Sequence, residues 1–381
     1  MHTSSDRILT THVGSLPRSS AVTDAVFALE RGETVPTAAA TIRDAVQAVV
    51  AQQVASGVDV VSDGEMSKIS YATYIKDRIS GFDGDSERDP PSDLQDFPGF
   101  LKRQASSGGT PTYRRPCCVG DIRVKDMGPV REDLDNLTRA TTEHGPTESF
   151  MNAASPGVIA LFQPNQHYPS HEAYLEALAE AMAHEYRAIV DAGVILQIDS
   201  PDLGLGRHML FKDKSDEEYL ALASLHVDAL NHALAGVPKD RVRLHVCWGN
   251  YEGPHHHDAP MSMVLPLALR AHVGALLFES ANPRHAHEWT TFAQTDLPDD
   301  LILIPGVIDS TTNFVEHPEL VAQRIDRFAD IVGRERVIAG TDCGFSTFAG
   351  FGAVDPDITY AKLASLAEGA AIASQRLWGN A

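Results

Sequence analysis

The chain has 381 residues, 43% of them hydrophobic and 22% charged, which is enough apolar material for a large core and excludes a wholly disordered chain. A net charge of −21 argues against nucleic acid or an anionic membrane surface as partner, and no run approaches the roughly eighteen apolar residues of a membrane span. Four cysteines make no disulfide framework and the start, "MHTSSDRILTTHVGSLPR", lacks the basic and apolar regions of a signal peptide, so a cytoplasmic protein with reduced thiols is expected.

In chain order, eight β-rich runs end in polar or glycine residues and are followed by helical patterns. They are "ILTTHVGS", "VDVVSDGE", "ESFMNAAS", "VILQIDSP", "VRLHVCWG", "ALLFES", "LILIPGVID" and "RVIAGTDCG". Between them, "SHEAYLEALAEAMAHEYRAIVDAG" reads as a helix with Ser170 as N-cap and Gly193 just past its end. "HPELVAQRIDRFADIVG" repeats the pattern, with Pro318 early and Gly333 as the stop. Strands alternating with helices predict a parallel sheet, closed most economically into a (β/α)8 barrel of TIM type. Two further apolar runs compete for strand status, and a barrel has no ninth place. "PCCVGDI" is assigned to an irregular insertion over 83–127, rich in Pro, Gly, Ser and Asp, and "GVIALF" to a helix opening after Pro156. The whole chain, 1–381, is expected to be one catalytic barrel carrying that insertion.

Side chains at i and i+2 of a strand point the same way. "RLHVCWG" therefore sends His245 and Cys247 to one side at a strand's C-terminal end, where barrels build their active sites. Two other strands finish with Glu279 in "LLFES" and Cys343 in "AGTDCG". One imidazole, two thiolates and a carboxylate suit tetrahedral zinc in number and type.

These residues resemble the catalytic barrel of cobalamin-independent methionine synthase, from "TTHVGSLP" near the start to "GTDCGF" near the end. The resemblance implies a zinc site at His245, Cys247, Glu279 and Cys343. It implies that Ser15 in "HVGS" holds the substrate carboxylate, and that Glu65 in "SDGE" and Asp199 in "QIDSP" meet its amino group. Asp309 in "PGVIDST" is kept, but Thr311 stands where the family has a histidine, and Ser200 where it has a glutamate. Where the family stacks an aromatic on its folate, "LFQPNQ" has no tryptophan, and the N-terminal half of the full-length synthase has no counterpart in this sequence. The thiol-activating half of the site is thus retained while the folate and proton-handling half is altered, leaving Asp309 as the catalytic polar group.

The implied activity is a zinc-dependent methyltransferase acting on a homocysteine-like amino-acid thiol. A free thiol is only a few per cent thiolate at neutral pH, given a pKa of about 8.5, and zinc removes that limit by binding the sulfur deprotonated. The methyl donor would be a folate or a methylated corrinoid protein. Epoxyalkane:coenzyme M transferase, a compact relative with similar ligands, is the alternative; a non-catalytic zinc- or thiol-binding barrel is a third reading. A homo-oligomer is left open.

Other candidates have plainer readings. The triplet His255, His256 and His257 lies in a Pro–Gly turn and reads as a solvated loop, with a second metal site as the alternative. Arg284, His285 and His287 read as a helix N-terminus. Arg18 is a candidate partner for an anionic group. Cys117, Cys118 and Trp248 read as packing.

Overall fold

A computed structural model describes residues 1–86, 90–106 and 115–379. The eight runs form parallel strands β1 (Leu9–Thr10), β2 (Val60–Val61), β5 (Glu148–Ala154), β6 (Ile195–Asp199), β7 (Val242–His245), β8 (Ala275–Phe278), β9 (Ile302–Ile308) and β10 (Ile338–Thr341). Neighbours run β1-β10-β9-β8-β7-β6-β5-β2, and a single parallel bridge, Thr11 to Val60, joins the two edges. The fold is the expected α/β barrel, with helices between successive strands covering its outside.

Strand alternation sorts the residues. One set of side chains packs outwards against the helices in the main core, which includes Leu196, Ile198, Leu244, Leu276 and Phe278. The other set fills the barrel: Leu9, Ala275, Leu277, Ile302, Ile304 and Ile338 form one inner cluster, and Val60, Phe150 and Ile195 another. Arg243 is buried in this interior, with its guanidinium 3.5 Å above the Phe150 ring and hydrogen bonds to Gln197, Thr11 and the His12 carbonyl. Burial lowers its pKa to about 9.

The helix His171–Asp191 starts at Ser170, whose hydroxyl accepts from the Ala173 amide, and Gly193 follows it with φ +79°. The helix Pro318–Val332 has Pro318 in its first turn and ends at Gly333. "GVIALF" lies in the helix Pro156–Phe162, opened by the Ser155 cap. "PCCVGDI" contributes β4 (Cys117–Cys118), which pairs antiparallel with β3 (Phe82–Asp83) outside the barrel. Of the segment 83–127, residues 87–89 and 107–114 lie outside the described residues. The helices Ser92–Gln95 and Pro98–Ser106 belong to it, and Asp93 accepts from the Tyr251 hydroxyl and the His255 amide in the loop that follows Cys247. No helix among the described residues is long and apolar enough to cross a membrane.

Candidate active site

The inward positions of β5, β6 and β7 carry the site. Register pairs Asn152 with Gln197 and Asp199 with His245, so these polar side chains converge where the strands end. Beyond β7, the backbone carries Cys247 to 3.6 Å from the Cys343 sulfur, which follows the end of β10. The ligand atoms of His245, Cys247 and Cys343 all lie within 4.8 Å of one another, and the three residues are buried.

His245 is oriented through Nδ1, which lies 3.2 Å from Asp199 Oδ1, while its buried Nε2 has no hydrogen-bond partner among the described residues. An imidazole whose far nitrogen is tied to a carboxylate, with the near one unpaired beside two thiols, fits a metal of zinc's preferences. The Cys343 thiol is lowered to about 6 by its hydrogen bond from Cys247 and the nearby imidazole, against burial. Cys247 is pushed well up by the same hydrogen bond and by burial. Burial works against charge on His245, but the Asp199 carboxylate on Nδ1 and the nearby Cys343 sulfur outweigh it and raise its pKa to about 10.

Glu279 stands at the edge of this group. Its Oε1 accepts from the Trp248 amide at 3.0 Å, and Oε2 from Asn282 Nδ2 at 2.8 Å and Arg284 Nη2 at 2.6 Å. The structure thus brings three of the four expected ligands together and holds the fourth beside them by an ion pair. Asp342 organises that corner: its two oxygens accept from the amides of Ser280, Ala281 and Asn282 and from the Asn282 side chain. Burial, with repulsion from Glu279 and Asp309, raises Asp342 to about 7.

The expected substrate contacts lie at other strand ends of the same face. Ser15 is buried, and a Cβ on Gly344, next to Cys343, would come within 2.0 Å of its hydroxyl. Only glycine permits that approach. Glu65 is buried in the left-handed region with φ +58°, a costly conformation for a residue with a side chain. Its Oε2 has no partner among the described residues, and burial raises its pKa to about 8, against the pull of Lys68 and with the repulsion of Asp199. Asp309 is buried; Oδ1 accepts from the Thr311 amide and hydroxyl, and Oδ2 from the Thr312 hydroxyl.

Several plainer readings change. Arg18 is no free anion partner: its guanidinium donates to the carbonyls of Glu65, Lys68 and Ser346 and so ties three loops together. His255 is buried, against the solvated-loop reading, with Nδ1 3.1 Å from Asp258 and φ +51°. His256 and His257 are exposed as expected, and both meet Asp96. Arg284 and His285 do more than start a helix: Arg284 binds Glu279, and His285 lies between Asp258 and Glu288. Cys117 and Cys118 are buried in the small ribbon, and Trp248 packs its ring on His285 with its indole N–H on the Ala259 carbonyl.

Asn152 was not singled out from the sequence. Its Nδ2 donates to the Val13 carbonyl at 2.8 Å and to Asp199 Oδ2 at 2.9 Å, and its Oδ1 is buried without a partner among the described residues. A Cβ on Gly14 would meet that side chain at 2.3 Å. A lone polar residue in the apolar run "FMNAA", at an inward position near a strand end, was the available signal.

Comparison with known proteins agrees with this architecture. The chain is 26% identical to a methionine synthase of Saccharolobus solfataricus over 372 residues, covering 97% of this chain and 95% of that protein. It is also 26% identical to a methionine synthase of Thermococcus kodakarensis over 343 residues, 88% of this chain and 84% of that one. Its fold is similar to the structure of a B12-independent methionine synthase from a Shewanella species in complex with selenomethionine, with TM-score 0.71, 19% identity, and coverage of 98% of this chain and 100% of that one. The model of the cobalamin-independent synthase catalytic domain matches residues 8–358, and the chain belongs to that family.

Proposed function

We propose that this protein is a zinc-dependent methyltransferase that presents a homocysteine-like amino-acid thiol to a methyl donor. The observation that carries the reading is the buried cluster of His245, Cys247 and Cys343, with the His245 Nε2 unpaired and its Nδ1 held by Asp199. Family membership and the similar methionine synthases support it. Held by these three residues, with Glu279 as the fourth ligand, zinc would supply a Lewis acid that keeps a substrate sulfur deprotonated at neutral pH.

The chain's own residues do the rest. An ammonium has three donors and loses its water on entry, so it needs acceptors that are already in place. Glu65 Oε2 and Asn152 Oδ1 are buried acceptors without partners among the described residues, and Asp199 adds negative charge beside Glu65. Ser15 is the proposed contact for the substrate carboxylate. In the transfer, sulfur forms a bond to the methyl carbon, the donor–methyl bond breaks with its electron pair going to the donor, and the thiol proton leaves. Asp309 is the proposed proton-handling group, acting from the position in which Thr311 and Thr312 hold it.

Two buried acids, Glu65 and Asp199, favour an ammonium over a sulfonate, which weighs against the epoxide-opening alternative. The test is a turnover matrix of homocysteine and a sulfonated thiol against methylfolate, a methylated corrinoid protein and an epoxide, with the zinc-loaded parent and Glu65→Gln. Methyl transfer to homocysteine, with KM raised in Glu65→Gln, is expected. Preference for the sulfonated thiol and epoxide would establish the alternative, and thiol binding without turnover a sensor.

A further inference from the structure

We propose that Asp96, His256 and His257 form a second, solvent-facing site for a divalent transition metal, zinc foremost, separate from the buried cysteine cluster. The three residues come from parts of the chain that are far apart in sequence. Asp96 directly follows the helix Ser92–Gln95 of the insertion, and the two histidines lie in the loop after Cys247. Yet His256 Nε2 is 2.9 Å and His257 Nε2 2.7 Å from the same Asp96 oxygen, and one ligand atom from each residue lies within 4.8 Å of the other two. The two rings are stacked obliquely with centroids 4.1 Å apart, so both imidazoles present the same nitrogen in the same direction.

Two nitrogens meeting one carboxylate oxygen also make a good ligand set. To bond Asp96, each Nε2 must carry a proton. With a cation among them, both nitrogens would turn lone pairs to it and the carboxylate would give its charge. Two imidazoles and one carboxylate suit zinc, nickel or copper(II), with water completing the coordination. There is room for that water: the side chains of His256, His257 and Asp96 are 40%, 43% and 52% exposed, and the two histidines border an open depression of about 340 Å³ that also involves His208 and Met263. The chain's charge of −21 favours cation approach. The donor set is harder than the two-sulfur set inside the barrel, so the two sites are chemically distinguishable.

Such an ion would clasp the insertion to the barrel mouth. The clasp continues a seam already present beneath it, where Asp93 accepts from the Tyr251 hydroxyl and the His255 amide and Gln104 donates to the Glu252 carbonyl.

The experiment uses tag-free full-length protein, stripped of metal by chelation and titrated calorimetrically with zinc chloride. The parent is expected to bind one equivalent more than Asp96→Asn and more than the His256→Ala/His257→Ala double variant. Titration with cobalt(II) should leave the intense near-ultraviolet sulfur-to-metal absorbance unchanged in both variants, because that band reports only the cysteine site. Zinc should also slow amide hydrogen exchange over residues 92–106 in the parent and not in Asp96→Asn. Equal equivalents in parent and Asp96→Asn overturn the site, and unchanged exchange overturns the clasp. If the double variant does not fold, Asp96→Asn, a near-isosteric change at an exposed position, decides. A parent that binds its extra zinc but lacks the sulfur band would retain this site while rejecting the buried one.

Discussion

At the scale of single residues, Asp199 shows how one carboxylate comes to serve three neighbours. Oδ1 accepts from Gln197 and lies by His245 Nδ1, while Oδ2 accepts from Asn152. This fixes which His245 nitrogen is free to bind a metal. Asp199→Asn keeps the shape and removes the charge, so its zinc affinity is expected to fall by roughly 10- to 100-fold, the usual effect of losing such a partner. Cys247→Ser should lose most of the metal outright, since a hydroxyl is a poor soft ligand. Competition with a chromophoric chelator measures both, and parent-like affinity in both variants would remove the cluster as a zinc site. The sequence and its family resemblance put Asp199 forward as a candidate substrate contact. Its bond to His245 was not legible, because it depends on the register that sets Asp199 of β6 opposite His245 of β7.

The elements place Cys343 through the pairing of β9 and β10. Their register shifts between Gly340 and Thr341, just before the cysteine. At Gly306 the strands come so close that an added Cβ would sit 2.1 Å from Asp342 Oδ1 and 2.6 Å from Asp342 Cα. The second contact is backbone, so the strand end itself must move. Gly306→Ala is therefore expected to destabilise the fold by about 1–3 kcal/mol, as overpacking does, and to weaken metal binding as well. Gly99→Ala, with nothing within 4 Å of the new Cβ, should show neither effect. Denaturant midpoints with zinc titrations check the pair, and a Gly306→Ala protein as stable as Gly99→Ala would contradict the close approach. At this scale the sequence was highly legible. Each barrel strand lay in a run with its own apolar character and polar end, and "GVIALF" was separable as a helix by its preceding Ser-Pro cap. The arrangement of the 83–127 segment was not, since its contacts to the loop after Cys247 follow no local pattern.

Across the whole molecule, a buried polar hub links the site to the surrounding loops. Asp258 lies 3.1 Å from His255 Nδ1, 3.0 Å from His285 Nε2 and 3.4 Å from Arg284 Nη1, and Arg284 in turn holds Glu279. Burial opposes charge on His285, but hydrogen bonds to Asp258 and Glu288 prevail and raise its pKa from 6.5 to about 9. A histidine raised on folding contributes stability that is fully present below pH 6.5 and is lost as pH climbs through about 9. Asp258 is opposed by burial yet lowered from 3.8 to about 2 by the same histidines, so its contribution is present above 3.8 and is lost as pH falls through 2. The melting temperature of the parent should decline between pH 6.5 and 9 more steeply than that of His285→Gln. Parallel melting curves over that window would show that the hub does not carry the charge assigned to it.

By itself the sequence determined the barrel and the strand ends at which the candidate site stands. Strand and helix periodicity are local, and a residue's parity within a strand decides which way it points, so the face of His245 follows from its place in β7, whereas Cys247 lies past the end of that strand and is placed by the backbone beyond it. Tertiary structure alone decided which groups meet. It brought Cys343 to Cys247 across 96 positions of chain, drew Glu279 to Arg284, closed Arg18 onto three carbonyls, and set Asn152 against Asp199. Those pairings depend on strand register and on the burial that leaves each polar group in need of a partner, and neither is encoded in a residue's near neighbours.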